Sequence, residues 1–501
     1  MSQSSALPTY SAIYAFGDSL SDAGNLSITT KAAGSPEPVS PPYFTEQYGS
    51  STGTVFSNGP TWVQNVSIAL GLGTLAPSLT GGNDFAFGGA ETGATPQNAN
   101  DPQITAISLP AQLTQFQTQV SKPSANALYT LSIGSNDLLD ILSTPGLSTQ
   151  QQTTDVNDAV ANEISFIKSL ISDGAKNLLV LDVPDLGKTP DVMLGLVNGS
   201  NAPSAALDAE ASQLASSYDS ALTSQLAALA GASAVNAHVV DAYGLIDSAV
   251  ANPAFYGLTD VTSRVWSGNY TSSTSGTLAA TTPAAQNRYL FWDSLHPTEA
   301  GHQAIADAAE EQLTGAPVLA ITDTTTGKPV TAIGQPYTGP VAGLQQEYVS
   351  ITTDTLSITA STPNWFIYSA STLGAITANS GTNVLDGTGS DFFTGGSGID
   401  NFYVDDESRT ASIWSTITNF HAGDTATIWG LTADDFPKIS WQLGQGAAGY
   451  TGLTVHVPGS GASSAALTFA GFAGASLSDG QLGIGSGESG GVAYLTIHAN
   501  S

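Results

Sequence analysis

The feature that most constrains the fold is an alternation of short apolar runs with long helical periods between about residues 10 and 315. Residues 13–16 and 178–181 are continuous apolar runs of the kind that form fully buried strands. Between such runs, apolar residues recur at helical spacing, as in the stretch from Asn157, a candidate N-cap, to Gly174, which closes the predicted helix. This alternation predicts an α/β domain whose mostly parallel sheet is covered by helices on both faces.

A second pattern begins after about residue 320. Stretches such as YVSITTDTLSITAS and LTVHVPGSG are rich in Thr, Ser and Gly, alternate as strands do, and show no long helical period. We therefore predict an α/β domain over residues 10–315, a linker rich in Thr, Gly and Pro over 316–345, and an all-β region over 346–501.

Charge and residue usage exclude several classes of function. The 10 Lys and Arg against 41 Asp and Glu give a net charge of −31, so we expect no nucleic-acid partner, which would need a basic patch. The absence of cysteine excludes disulfides and thiolate catalysis. The N-terminus has no positive segment followed by an apolar one, and no long apolar run occurs, so we expect neither a cleavable signal nor a transmembrane segment.

Candidate chemistry gathers where the predicted strands end. Ser19 follows the first apolar run in FGDSLSDAGN, Gly89 closes NDFAFGG, and Asn136 follows a predicted strand in SIGSND. Asp293 and His296 are three residues apart in DSLHP, just before a predicted helix. In open α/β sheets the ligand crevice lies beyond the carboxyl ends of the strands, so we expect these segments to converge there.

The residue types in these segments supply each part of an acyl-transfer site. Ser19 is the candidate nucleophile, His296 the base that accepts its proton, and Asp293 the carboxylate that orients the imidazole. The N–H of Ser19, the N–H of Gly89 and the side-chain amide of Asn136 can donate to an oxyanion. Each segment alone also fits a plain turn or helix cap, and it is the set of four that indicates a hydrolytic site.

The same segments carry a family resemblance. GDSLSDAGN, FAFGGA, GSND and DSLHP resemble, in order, the four blocks of the GDSL or SGNH hydrolase family, above all its secreted bacterial lipase, phospholipase and lecithinase branch. The resemblance implies a flavodoxin-like three-layer α/β/α fold and the same roles for the triad and the oxyanion donors. A slip of one residue in aligning the second block would assign Gly88 instead of Gly89 to the oxyanion hole.

This resemblance favours a serine carboxyl-ester hydrolase of the esterase or lipase type that needs no catalytic cofactor. A carbohydrate O-acetyl esterase is the alternative, because the fold does not decide among ester substrates. The strongly negative chain favours a neutral or zwitterionic ester as substrate.

The C-terminal region has its own motif. Residues 395–403, GGSGIDNFY, fit the nonapeptide GGxGxDxUx, in which U is apolar, and residues 386–394, DGTGSDFFT, depart from it only at the first position. The nine residues before these keep little beyond Val384 at the U position. The stretches resemble the RTX repeats of proteins exported by bacterial type I secretion, which implies a short parallel β-roll with Asp391 and Asp400 as Ca²⁺ ligands.

The RTX resemblance implies an extracellular protein that the type I export machinery secretes without a cleavable N-terminal signal and that structural Ca²⁺ stabilises. It also leaves open a second class of function, a calcium-binding surface or adhesion protein with an inactive hydrolase domain. The intact set of candidate site residues favours the enzyme. Residues 404–501 carry no recognisable chemistry of their own.

Overall fold

The chain forms two compact units that separate after Gly315. The computed structural model describes residues 8–94, 104–251, 253–315, 318–324, 328–350, 355–360, 362–378, 380–405, 412–445, 450–458 and 464–500. Each unit has hydrophobic core clusters of its own. Within the described ranges, none of the helices combines the length and the apolar character that a membrane span needs.

The unit that ends at Gly315 is mixed α/β. Its strands are β1 (Ile13–Gly17), β2 (Thr45–Tyr48), β3 (Ser51–Thr54), β4 (Leu128–Ser132), β5 (Asn177–Leu181), β6 (Asn236–Val240), β7 (Asp260–Arg264) and β8 (Tyr289–Phe291). Its helices are α1 (Asn25–Ala32), α2 (Trp62–Ala69), α3 (Ile104–Ile107), α4 (Leu109–Gln119), α5 (Ser135–Ser143), α6 (Thr149–Asp173), α7 (Pro190–Met193), α8 (Ala205–Ser233), α9 (Ala242–Ala251), α10 (Pro283–Gln286) and α11 (Glu299–Thr314).

The central sheet of this unit is parallel and covered on both faces. Its strand order is β1, β4, β5, β6. Leu178 and Val180 of β5 pack in the core to which α6 and α8 contribute. Leu179 and Leu181, which point to the opposite face, pack in the core to which α2 and α11 contribute. The result is a three-layer arrangement, with the sheet between two layers of helices.

Helix α6 begins earlier than its apolar period indicates. Ser148 caps it in a capping box: Ser148 Oγ accepts the N–H of Gln151, and the Gln151 side chain accepts the N–H of Ser148. The helix therefore starts at Thr149 and not at Asn157, because its first turns are polar and lie outside the apolar period. Gly174, at a φ of 117°, ends the helix as expected.

The carboxyl ends of β1 and β4 position the candidate site. Gly17 and Ser132 end these strands and pair with each other. Gly17 has a φ of 130°, and a Cβ there would collide with the Ser132 carbonyl oxygen, so the position requires glycine. The chain then turns at Ser19 on one strand and at Gly134 on the other, which brings both segments to the same edge of the sheet.

The second unit is β-rich. Its strands are β9 (Val318–Asp323), β10 (Lys328–Ile333), β11 (Gln335–Pro336), β12 (Gln346–Ser350), β13 (Leu356–Ala360), β14 (Trp365–Ser369), β15 (Ala375–Thr377), β16 (Thr382–Gly387), β17 (Phe392–Thr394), β18 (Ile399–Asp405), β19 (Ile413–Thr418), β20 (Thr425–Leu431), β21 (Ser440–Gln445), β22 (Gly452–Pro458), β23 (Ser464–Ala470), β24 (Leu482–Ser489) and β25 (Val492–Ala499).

Successive strands from β12 to β20 alternate between two sheets, and within this run the neighbours in each sheet are parallel. Their inward side chains share one apolar core, in which the rings of Phe393 and Phe402 lie 5.9 Å apart. In such a coil, each layer covers the apolar interior of the next. The assignment of these repeats to the RTX type stays a prediction.

Two details differ from the sequence prediction. Residues 316–345, predicted as a linker, contain β9, β10 and β11, because Val, Thr and Ile favour strands even where Gly and Pro lie nearby. Val384 is not the counterpart of Phe402: β16 and β18 pair Leu385 with Phe402, and both side chains lie in the shared core. A shift of one residue moves a side chain to the other face of a strand, so counting in nines misassigned this position.

Candidate active site

Ser19 lies in the turn after β1, and its hydroxyl faces an imidazole. Ser19 Oγ and His296 Nε2 are 2.8 Å apart, although 277 residues separate them in the sequence. Both residues are buried, with 7% and 5% of their surface exposed. A hydrogen bond of this length gives the imidazole direct access to the hydroxyl proton.

Asp293 holds the other side of the same imidazole. His296 Nδ1 lies 2.9 Å from each carboxylate oxygen of Asp293, and the N–H groups of Leu295 and His296 donate to Asp293 Oδ1 at 2.9 and 2.8 Å. Burial raises the pKa of Asp293, but the charge and hydrogen bonds of His296 outweigh burial, so the net pKa is lowered. The carboxylate therefore stays charged and fixes the orientation of the ring.

Two aromatic residues that the sequence analysis missed complete this arrangement. Tyr43 Oη donates to Asp293 Oδ2 at 2.7 Å, across 250 residues of sequence. The Phe56 ring packs beside the His296 ring, with 4.8 Å between the ring centroids. Both come from the region between α1 and α2, where no local motif links them to the DSLHP segment.

Backbone geometry distinguishes Gly89 from Gly88. The N–H of Gly88 donates to Asp22 Oδ2 at 2.8 Å and is thus already bonded. The N–H groups of Gly89 and Ser19 have no partner within the described part of the chain. Gly89 also has a φ of 78°, in the left-handed region that glycine favours, and it lines the same cleft as Ser19 and His296. The structure therefore offers the N–H of Gly89, not that of Gly88, to a ligand.

Asn136 lies in the first turn of α5, directly after β4. Asn136 Nδ2 donates to the carbonyl oxygen of Ala90 at 2.9 Å, which fixes the amide next to the Gly89 segment. An amide nitrogen carries two hydrogens, so the second one remains for a ligand. Ser19, Gly89 and Asn136 all line one cleft.

A buried polar network joins the SDAGN segment to the FAFGG segment. Asp22 accepts the N–H of Gly88 across 66 residues, in addition to N–H groups of its own turn. Asn25 Nδ2 donates to the carbonyl oxygens of Asp84 and Ala86 at 2.8 and 2.9 Å. Burial raises the pKa of Asp22 to about 6, and the hydrogen bonds from the backbone oppose this shift. SDAGN therefore fixes the loop that carries the candidate oxyanion glycine, a role that the sequence analysis did not assign.

Residues 13–309 match the model of the family described as GDSL-like Lipase/Acylhydrolase, which is more than half of the chain. The chain belongs to this family.

Relatives of this GDSL family member are named for acyl-ester chemistry. A phosphatidylcholine-sterol acyltransferase of Aeromonas hydrophila is 28% identical over 340 residues, which cover 60% of this chain and 90% of that protein. A GDSL esterase/lipase of Arabidopsis thaliana is 28% identical over 340 residues, covering 62% of this chain and 91% of that protein. Esterase EstA of Pseudomonas aeruginosa is 29% identical over 327 residues, covering 60% of this chain and 46% of that protein. The chain is thus a member of a family of carboxylic-ester hydrolases.

Two spaces in this GDSL domain share Ser19, Asn136 and His296 in their walls. The first is an open cleft of about 520 Å³ with polar and apolar walls, which include Tyr43 and Arg264. The second is a more enclosed apolar space of about 30 Å³, whose walls also include Leu186, Ile246, Phe291 and Ile305. The serine therefore faces a wide space of mixed polarity and a narrow apolar one.

In the second unit, the two predicted metal ligands have different surroundings. Asp391 Oδ1 and Oδ2 accept the N–H groups of Gly374 and Gly389 at 2.9 and 2.8 Å. Asp400 lies with His421 and Asp424 in a group whose ligand atoms are all within 4.8 Å of one another. Among the described residues, Asp391 is not part of that group.

The three residues of the Asp400 group, Asp400, His421 and Asp424, already form hydrogen bonds with the protein backbone. Asp400 Oδ2 accepts the N–H of Gly396 at 2.6 Å, and Asp424 Oδ1 accepts the N–H of Asp400 at 2.9 Å. His421 Nε2 lies 3.0 Å from the Gly396 carbonyl oxygen. Burial raises the pKa of Asp400 to about 6. The two carboxylates are the kind of ligand that a divalent cation prefers, and a cation would offset the cost of burying both charges.

Proposed function

We propose that this chain hydrolyses carboxyl esters with Ser19 as the nucleophile, His296 as the general base and acid, and Asp293 as the orienting carboxylate. The observation that carries the proposal is the continuous hydrogen-bond chain from Ser19 Oγ through His296 to Asp293. Family membership supports the reaction class.

The proposed cycle has two halves. In the first, His296 Nε2 takes the proton of Ser19 as Oγ attacks the ester carbonyl carbon, and then gives that proton to the departing alkoxide. In the second, a water molecule attacks the acyl-serine ester while His296 takes its proton; the bond between the acyl carbon and Ser19 Oγ then breaks, His296 gives the proton to Oγ, and the carboxylic acid leaves. Each half consumes and returns one proton at His296, so the enzyme ends in its starting state.

Asp293 acts in this scheme by staying charged. Its lowered pKa keeps the carboxylate ionised at neutral pH, where it stabilises the imidazolium that forms when His296 accepts the serine proton. The hydrogen bond from Tyr43 and the N–H groups of the turn hold the carboxylate in one orientation.

The oxyanion of each tetrahedral intermediate is assigned to the N–H groups of Ser19 and Gly89 and to the side-chain amide of Asn136. These donors are held in place before the substrate arrives, so they need no reorganisation as charge develops. Loss of one such donor typically raises the barrier by about 3–4 kcal/mol.

The proposed substrate is a neutral or zwitterionic ester, of the esterase or lipase type. The open cleft of about 520 Å³ has room and mixed polarity for an amphiphilic molecule. A carbohydrate O-acetyl esterase is the second candidate, favoured by the enclosed apolar space beside Ser19, whose volume of about 30 Å³ suits only a short acyl group.

Hydrolysis of a p-nitrophenyl ester series from acetate to palmitate tests the proposal and separates the two candidates. We expect activity in the wild type and none in Ser19→Ala, whereas Ser169→Ala, which removes an exposed hydroxyl bonded only within α6, should behave as wild type. An optimum at acetate favours the O-acetyl esterase, and an optimum at longer chains favours the lipase. Full activity in Ser19→Ala would contradict the assignment of the nucleophile. No activity of folded wild type on any ester would favour the calcium-binding adhesion protein.

Structural Ca²⁺ at Asp400 and Asp424, export by type I machinery and an extracellular location are further proposals. They are supported by the GGSGIDNFY repeat, which contains Asp400, and by the position of Asp424 beside Asp400. Asp391 is left out of the proposed ligand set because, among the described residues, it does not belong to the group whose ligand atoms lie within 4.8 Å of one another. No catalytic step in the other unit involves this ion.

A further inference from the structure

Arg264 is the only Lys or Arg among the described residues that line the open cleft beside Ser19 and His296. The whole chain has only 10 Lys and Arg against 41 Asp and Glu. A cation in the cleft of so acidic a protein creates a local field opposite to that of the surface around it. A negatively charged group that the protein as a whole repels would be attracted at this one position.

The backbone of Arg264 is fixed relative to the catalytic turn. Arg264 ends β7 and pairs with Phe291 of β8, the strand that leads into Asp293. The two residues after Arg264 are also hydrogen-bonded to the segment that leads to Asp293: Val265 N donates to Phe291 O at 3.1 Å, and Trp266 N donates to Trp292 O. A side chain built on two hydrogen-bonded segments meets a ligand in a reproducible position.

The guanidinium has no ion pair with any described residue, in contrast to Lys188 and Lys438, which pair with Asp185 and Asp435. Its charge nevertheless acts within the cleft. Burial raises the pKa of Asp191, and the charge of Arg264 opposes that shift. Arg264 therefore lies near the reacting groups while its N–H donors remain for a ligand.

We propose that Arg264 binds an anionic oxygen group, a phosphodiester or a carboxylate, in the alcohol part of the substrate ester. The inference rests on the proposed function, because it places this group in the cleft while Ser19 attacks the acyl carbonyl. The planar guanidinium donates two parallel hydrogen bonds to groups of this geometry. Glu37 and Asp191 line the same cleft, so the bound molecule needs neutral or positive groups elsewhere and is zwitterionic overall.

Two matched pairs of substrates test the contact and show whether Arg264 binds a phosphodiester or a carboxylate. Dioctanoyl phosphatidylcholine and dioctanoylglycerol share acyl chains and differ in the phosphodiester head group. Butyrylcarnitine and butyrylcholine share the acyl chain and the ammonium and differ in the carboxylate. For at least one pair, Arg264→Gln should lower kcat/KM for the compound that carries the phosphodiester or carboxylate, relative to the compound that lacks it, by roughly 10- to 100-fold. This is the loss expected when a charge-assisted hydrogen bond is removed.

Two further variants control the comparison. Arg264→Lys keeps the positive charge but loses the planar guanidinium with its parallel donors. This variant should therefore retain part of the preference for the compound that carries the phosphodiester or carboxylate. Arg288→Gln removes an exposed arginine outside the cleft, whose Nη1 lies 3.5 Å from Gly257 O, and should leave the ratios of both pairs unchanged. An equal loss on both members of each pair in Arg264→Gln would overturn the proposal, because Arg264 would then act through Asp191 or the triad. Unchanged ratios in both pairs would overturn it as well.

A binding measurement separates failure of this proposal from failure of the proposed hydrolase. Isothermal titration of Ser19→Ala with glycerophosphocholine and with carnitine measures the contact without turnover. Binding of either compound that disappears in Ser19→Ala/Arg264→Gln supports the role of Arg264, even for a chain that hydrolyses none of the esters. Binding that is absent, or that survives removal of Arg264, contradicts it, even for an active esterase.

Discussion

The hydrogen bond from Tyr43 to Asp293 gives a sharp test of how the site works. Tyr43→Phe removes the hydroxyl and keeps the ring, which packs edge-on against Trp292 and Phe56. Asp293 Oδ2 would lose the contact of 2.7 Å from Tyr43 and keep that of 2.9 Å from His296. A hydrogen bond to a charged group contributes about 1.5–3 kcal/mol, and because Asp293 keeps its other donors we expect about 1.4 kcal/mol to reach the barrier, a tenfold loss in kcat/KM.

The assay is kcat/KM for a p-nitrophenyl ester across acid pH, with the melting temperature as a check on folding. Since the donor stabilises the charged carboxylate, its loss should raise the pKa of Asp293, and activity should begin to fall at a higher pH on acidification. Tyr129→Phe is the matched control, because the Tyr129 hydroxyl also donates a hydrogen bond, to Ser124 O at 2.9 Å, and Tyr129 does not line the cleft. An unchanged kcat/KM in folded Tyr43→Phe, or an equal loss in Tyr129→Phe, would refute this reasoning.

Three other perturbations have defined outcomes. Asn136→Ala should lower kcat on a p-nitrophenyl ester by about 10²–10³-fold with little change in KM, and a wild-type kcat would remove Asn136 from the oxyanion hole. Burial raises the pKa of Glu163 from 4.5 to about 8, so the stability that the protonated form contributes at low pH is lost as pH rises through this window. By calorimetry, the melting temperature should fall between these pH values, and fall less in Glu163→Gln; equal slopes would contradict the assignment. Excess Ca²⁺ should raise the melting temperature, and raise it less in Asp400→Asn, while the initial rate of folded enzyme stays constant; a melting temperature indifferent to Ca²⁺ and chelator would rule out the structural ion.

Local patterns predicted the α/β organisation well and long-range contacts poorly. The apolar runs and helical periods predicted the layered sheet, because a strand that is buried on both faces is apolar throughout and a helix that packs on the sheet has a periodic apolar face. Both patterns can be seen within a single segment. Ser19 and Asn136 follow neighbouring strands of the central sheet, and topology brings such ends together. Gly89 was expected at the end of a strand as well, but none of the described strands precedes it directly, and hydrogen bonds of the SDAGN segment hold its loop. The hydrogen bond of Tyr43 to Asp293 could not be predicted, because 250 residues separate the two in the sequence and no spacing rule connects them.

Differences of a single residue required the structure. Gly88 and Gly89 are neighbours in one short motif, and they are distinguished by the hydrogen bond of Gly88 to Asp22 and by the left-handed φ of Gly89. In the second unit, a strict count of nine assigned Val384 to the U position, whereas the pairing of β16 with β18 places Leu385 opposite Phe402. Strand register depends on neighbouring strands, so a repeat of irregular length cannot be read from spacing alone.

The central claim is that Ser19 forms a covalent acyl intermediate with help from His296. Treatment of the full chain with an alkyl fluorophosphonate, followed by mass spectrometry of its peptides, tests this claim most directly. We predict one modified residue, Ser19, loss of esterase activity in proportion to labelling, and almost no labelling in His296→Ala. A label on another residue, or activity that persists in fully labelled protein, would contradict the account.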